Sequence, residues 1–224
     1  MERGNGAGMK RRDDVDRPGA QLWVPEADGV PPLRDAATEC RGCELYRDAT
    51  QVVFSAGNET ARMMLVGEQP GDHEDRTGEP FVGPAGRLLD DALVAAGIDR
   101  PQVYLTNAVK HFRYEQRGKR RIHQTPDLVH LVACQPWLIA ETAAVRPSVV
   151  VALGGTAARS VLGRPAKITA ERGTVLTASG PLGEVPVVVT THPSAVLRLR
   201  GKPEFDEAFR RLVADLHVAA TVGR

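Results

Sequence analysis

Three segments of this chain hold side chains whose types and spacing can do chemistry. Cys40-Arg-Gly-Cys43 is a C-x-x-C pair, and a third cysteine, Cys134, lies far along the chain. Such a pair serves as a redox couple, half a zinc site or half a cluster site, and alone it does not choose among them. A thioredoxin-type couple would sit on the first turn after a strand, and no strand pattern precedes Cys40. The second segment, Gly67-Glu-Gln-Pro-Gly71, runs on through Asp72 to Gly86. Its glycines permit close backbone approach, and Pro84 suits the first turn of a helix whose free N–H groups attract anions. No Gly-Lys-[Ser/Thr] follows and the spacing is not Gly-x-Gly-x-x-Gly, so neither a Walker loop nor a dinucleotide fingerprint is present; composition alone also fits a turn-rich connector. The third segment, KHFRYEQRGKRRIH, spans Lys110 to His123. It sets six cations (Lys110, Arg113, Arg117, Lys119, Arg120, Arg121) against Glu115, a charge of +5 in fourteen residues. Such a loop tracks phosphates by counterion release, with Phe112 or Tyr114 available to stack; a solvated charged loop is its other reading. His73-Glu74-Asp75 is a poor metal site, because adjacent residues cannot all face one ion.

For these segments to act together the fold must bring them to one place. Apolar, β-rich runs at residues 62–67, 103–107, 148–153 and 185–191 alternate with helical patterns at 85–96, 126–145, 156–162 and 203–220. Strands without polar alternation, separated by helices, build a parallel sheet buried on both faces. The expected class is therefore α/β, a three-layer α/β/α arrangement on a central four-stranded parallel sheet. Residues 167–186 pattern as a β-hairpin side element. Ligands of such sheets bind beyond the carboxyl ends of the strands, which is where the segments following residues 67, 107 and 191 fall. Residues 1–33, rich in Gly, Pro and charge, read as a disordered leader, and 34–224 as a single domain.

Bulk composition narrows the class. With 224 residues, 42% apolar and 25% charged, the chain is globular, with room for one large core, and is neither fibrous nor wholly disordered. A formal charge of +1 names no partner, so any nucleic-acid signal is local. The pattern shows no membrane-length apolar run and no secretory h-region, and three cysteines make no disulfide scaffold. A cytoplasmic protein with no membrane partner is expected.

GEQPG at 67–71, PFVGPAGRLL at 80–89, TNAVK at 106–110 and THPSAVLR at 191–198 stand in the same order as in the uracil-DNA glycosylase superfamily, which this chain resembles from about Glu39 to Leu216, specifically its iron–sulfur family 4 branch. The resemblance implies uracil excision from DNA, a monomer, a nucleoid-associated location and a [4Fe–4S] cluster. The family's third cluster cysteine directly follows the lysine of N-x-V-K, where this chain has His111. Imidazole replaces thiolate in Rieske centres, so the implied ligand set is Cys40, Cys43, His111 and Cys134, with a structural role; a three-cysteine cluster or zinc is the other reading. In the uracil site, Asn107 reads O4 and N3–H, Phe81 stacks, and the backbone from Gly67 through Gln69 to Gly71 binds O2. His192 assists the leaving group, with Ser194 as a helix N-cap and DNA contact. Asp72 is a second carboxylate candidate, ordering water or the pocket. Arg198 touches phosphate or locks the basic loop.

Three departures from family 4 travel together: GEQPG in place of GEAPG, His111 at the cluster position, and the inserted Lys119-Arg-Arg-Ile-His123. They resemble the UdgX subgroup, in which a histidine on this insert becomes joined to the sugar from which uracil was cleaved. That likeness implies capture of C1′ by His123, with Glu68 orienting the imidazole, accepting its proton or stabilising the cation. Lys119, Arg120 and Arg121 then contact DNA, single strands being favoured.

Overall fold

The computed structural model describes residues 17–222. In chain order the elements are α1 (Val30–Ala37), β1 (Ser55–Gly57), β2 (Met63–Gly67), α2 (Asp72–Thr77), α3 (Pro84–Ala95), β3 (Val103–Asn107), β4 (Tyr114–Arg117), β5 (Arg120–His123), α4 (Leu128–Val145), β6 (Val149–Leu153), α5 (Gly155–Leu162), α6 (Ile168–Glu171), β7 (Val175–Gly180), β8 (Gly183–Thr190), α7 (Pro193–Leu197) and α8 (Phe205–Val222). Every residue of β2, β3 and β6 is buried, as strands covered on both faces require. The main sheet runs β1-β3-β2-β6-β8-β7. Its four central strands are parallel, and β1 and β7 close the edges antiparallel.

Alternation along the strands divides the core in two. Met64, Val66, Tyr104, Val150, Ala152, Val187 and Val189 face one layer, with α1, α4 and α5. Met63, Leu65, Val103, Leu105, Val149, Val151 and Val188 face the other, with α3, α7 and α8. The fold is thus the three-layer α/β/α class that the pattern implies, with two edge strands beyond the expected four. The hairpin expected at 167–186 forms as β7–β8, but β8 is itself a central strand, so the hairpin extends the sheet.

Two other expectations change. The start expected at Arg34 falls inside α1, and Ala20, Val30 and Leu33 are buried core residues, so described residues ahead of 34 belong to the fold; residues 1–16 of the expected leader lie outside the described residues. The pattern shows no membrane-length apolar run, yet α4 has the length and hydropathy to cross a membrane, and half of it is buried inside the protein. Its apolar character serves the core, where Trp137 and Leu138 are fully enclosed.

Candidate functional site

The carboxyl ends of β2, β3 and β6 open into a cavity of about 510 Å³. Asn107 ends β3 and is 2% exposed, and its Oδ1 is buried with no hydrogen-bond partner. A buried acceptor without a donor costs stability, so this atom calls for a ligand N–H. Gly67 lies beside it for a steric reason: a Cβ there would sit 2.3 Å from Asn107 Oδ1 and 2.7 Å from Phe81 Cζ. Phe81 holds a left-handed backbone, φ 58°, which is strained for an aromatic residue. Arg100 Nη2 donates to its carbonyl at 3.2 Å. Gly86, in the first turn of α3, packs so close that a Cβ would stand 1.9 Å from that oxygen. Both contacts hold the Phe81 carbonyl, and with it the backbone from which the ring projects.

His192 caps α7, and its Nδ1 accepts from the Ser194 backbone N–H at 3.1 Å. The neutral ring then carries its proton on Nε2. Burial first, then His123 and Arg198, depresses its pKa to about 4, so at neutral pH it is an uncharged donor lining the cavity. Ser194 also lines the cavity, with its hydroxyl 2.8 Å from Nδ1, but the N-cap role expected of it belongs to His192.

The basic segment is not a loop. β4 and β5 form a two-stranded antiparallel hairpin with Gly118 at the turn, φ 59°, and His123 stands at its end on the cavity wall. His123 Nε2 is 3.4 Å from Glu68 Oε1, while the other carboxylate oxygen accepts from Thr156 Oγ1. Burial lowers the His123 pKa; Glu68 opposes that and Arg198 reinforces it.

The hairpin is clamped by residues that sequence reading assigned elsewhere. Gln69 directs its side chain to the hairpin base: Nε2 donates to the carbonyls of Arg113 and Gln124 at 3.2 and 3.0 Å, and Oε1 accepts from Arg113 N–H at 2.9 Å. Gly71 N–H is taken by Glu74 at 3.1 Å and Pro70 has none, so only the Glu68 and Gln69 amides of that loop can meet a ligand. Arg121, expected to contact DNA, turns inward. It pairs with Asp72 and with Asp75, the latter fully buried at 2.6 Å, and lies over the rings of Phe112 and Tyr114. Asp72, expected in the pocket, is not among the cavity's lining residues; against the cost of burial, Arg76 and Arg121 hold its carboxyl below its usual range. Lys110 is 1% exposed and paired with Glu141, so it is no part of a phosphate track. Lys119 and Arg120 are exposed at the hairpin tip, and Arg198 lines the cavity mouth.

Glu74 and Thr156 were not legible as site residues. Glu74 bridges the two glycine loops, accepting from Gly71 and Gly83 N–H groups; a Glu three residues after a cap position is a capping-box signature that would have marked it. Nothing local marks Thr156, whose role depends on β6 lying beside β2.

Cys40, Cys43 and Cys134 are buried together. Burial, then Glu44 and Cys40, pushes the Cys43 thiol up to about 11, and Cys134 is raised by burial and also feels Cys43 and Cys40. Trp137 Nε1–H donates to Cys40 Sγ at 3.2 Å and Lys110 N–H to Cys134 Sγ at 3.4 Å. His111, 7% exposed, is held neutral by burial, with its pKa at about 4. Among the described residues no three His, Cys, Asp or Glu side chains gather around a single ion, whereas a cubane spreads its ligands over separate irons. The N–H groups aimed at the Cys40 and Cys134 sulfurs are the donors that cluster thiolates take.

Most of this chain matches known proteins. Residues 54–217 match the family model of the Uracil DNA glycosylase superfamily. The type-4 uracil-DNA glycosylase of Thermotoga maritima is 40% identical over 169 residues, covering 75% of this chain and 83% of that protein. That of Archaeoglobus fulgidus is 35% identical over 178 residues, covering 77% and 86%, and that of Pyrobaculum aerophilum 34% over 183 residues, covering 79% and 90%. Since the match spans every strand end that builds the cavity, the chain belongs to the uracil-DNA glycosylase superfamily.

Proposed function

We propose that this chain excises uracil from DNA and that His123 then captures the sugar, leaving protein and DNA covalently joined. The observation that carries the reading is the placement of His123 and Glu68 on the wall of the cavity that holds Asn107, Phe81 and His192. A flipped uracil would lie against Phe81, donate N3–H to Asn107 Oδ1 and receive Asn107 Nδ2–H at O4. As the C1′–N1 bond breaks, its electron pair leaves with uracil. His192 Nε2–H and the Glu68 and Gln69 amides stabilise the resulting charge at O2. The oxocarbenium sugar then bonds to a ring-nitrogen lone pair of His123, and the imidazolium so formed is balanced by the Glu68 carboxylate. Lys119, Arg120 and Arg198 supply the phosphate contacts; single strands are favoured because no base pair must be broken to flip the nucleotide.

The decisive experiment mixes the protein with a uracil-containing single strand on a denaturing gel. A heat-stable, slowly migrating band at one adduct per protein supports capture. Released uracil with alkali-labile sites and no such band identifies a turnover glycosylase. No released uracil at all identifies a DNA-binding module.

Cys40, Cys43, His111 and Cys134 would hold a [4Fe–4S] cluster, which when bound would tie the segment before β1, the turn after β3 and α4 together. The purified protein is expected to be brown, with broad visible absorption; a colourless, zinc-loaded protein after anaerobic purification would refute this. His111→Cys keeps the colour and His111→Ala loses it on standing.

The His192 environment sets a pH expectation. With its pKa near 4, the imidazole is already neutral throughout the range from about pH 5.5 to about pH 8, so uracil release does not vary through its titration there. For stability the sign is fixed by the unfolded chain, which binds a proton on this ring below about 6.5. The folded form resists that proton, so the contribution of His192 to stability is intact above about 6.5 and is lost as pH falls toward about 4. Single-turnover uracil release and thermal melts across this range check both.

A further inference from the structure

We infer that the buried Lys110–Glu141 pair positions Asn107 as the base reader and thereby controls uracil affinity. Lys110 is 1% exposed and Glu141 fully buried, and neither reaches the cavity. Taking two charges out of water is costly, and an apolar pair of similar volume is often as stable, so this pair calls for a reason beyond stability. Its contacts supply one. Lys110 Nζ donates to the Asn107 carbonyl at 3.0 Å and to Thr106 Oγ1. Glu141 Oε1 accepts from Tyr104 OH at 2.9 Å and from Thr106 Oγ1 at 2.8 Å. One carboxylate on α4 thus holds Tyr104 and Thr106 of β3, while its lysine partner holds the peptide of the strand's last residue. The backbone of Lys110 is fixed as well, donating to Cys134 Sγ at 3.4 Å and accepting from Val53 N–H at 2.9 Å. Asn107 has no side-chain partner for Oδ1, so the aim of that atom depends on how its backbone is held.

This inference rests on the proposal that Asn107 reads the base. The test uses Lys110→Met/Glu141→Leu, which removes both charges together and leaves no unpaired charge, with inhibition of excision by free uracil and thermal melting as readouts. A variant that melts cooperatively near the parent while binding uracil about tenfold more weakly, within the range one bidentate base contact carries, supports positioning. Parental uracil affinity in that folded variant overturns it. Should the double variant not fold, Thr106→Val decides: it removes one hydroxyl shared by both partners, a several-fold loss of uracil affinity is expected, and no loss overturns the inference. Asn107→Asp, assayed alongside, separates the two claims. Unchanged uracil affinity there refutes the base-reading assignment itself, whereas loss there with none in the pair variants refutes only the role of Lys110 and Glu141.

Discussion

His123→Ala is expected to release uracil at close to the parental rate, turn over, and leave alkali-labile abasic sites where the proposed parental reaction leaves one covalent adduct per molecule. The expectation follows from a division of labour in the cavity. In the proposed reaction departing uracil is stabilised by His192 Nε2–H and the amides after β2, and the His123 ring carries none of these donors. His123 lies instead beside Glu68, on a separate hairpin whose base is fixed by Gln69 and whose second strand is fixed by Arg121. Those clamps remain in the variant, so the hairpin keeps its place and only the nucleophile is lost; water inherits the cation. Tryptic mapping of the parental adduct is expected to place the deoxyribose mass on the peptide containing His123. A variant that still crosslinks fully, or a mass found on His73, His192 or Lys119, rejects the assignment.

The same division explains what could be read from the sequence. Asn107 and His192 were legible because each lies at the carboxyl end of a parallel strand, Asn107 as the last residue of β3 and His192 two residues past β8, where ligands of a doubly covered sheet bind. Lys110 and Arg121 were misread because charge counting records a cation without its direction. Lys110 turns inward because Glu141, thirty-one residues on, waits on α4. Arg121 is drawn in by Asp75 and by the faces of Phe112 and Tyr114. Neither acidic partner is local, so a window over the basic segment holds the two rings but not the carboxylates that turn these cations inward. The hairpin, by contrast, carried a local signal in Gly118 between two four-residue runs, outweighed by the density of charge around it. Gln69 shows the intermediate case. Its presence in place of alanine is visible in the sequence alongside the insert, but only the geometry shows why they occur together: the amide has both a donor and an acceptor to bind the hairpin's base, and alanine has neither.

Gly67→Ala is expected to lower the single-turnover rate of uracil release by about 10²-fold or more, the scale of a misplaced reacting geometry, while the protein stays folded. The added methyl has two neighbours, Asn107 Oδ1 at 2.3 Å and Phe81 Cζ at 2.7 Å, and both are below any separation a real Cβ adopts. One of them must move. Asn107 is held in β3, paired in register with Gly67 itself. Phe81 is fixed by Arg100 at its carbonyl and by the close packing of Gly86, and its backbone is already in a strained region. Whichever yields, either the edge-reading amide or the stacking face leaves its place, and the base slot no longer fits a planar ring. The core on either side of β2 is untouched, since Met63, Met64, Leu65 and Val66 keep their contacts, so the melt falls by far less than the activity. Excision kinetics and a thermal melt on the same preparation check this. A variant that excises uracil at the parental rate would show that the slot between Asn107 and Phe81 does not hold the base.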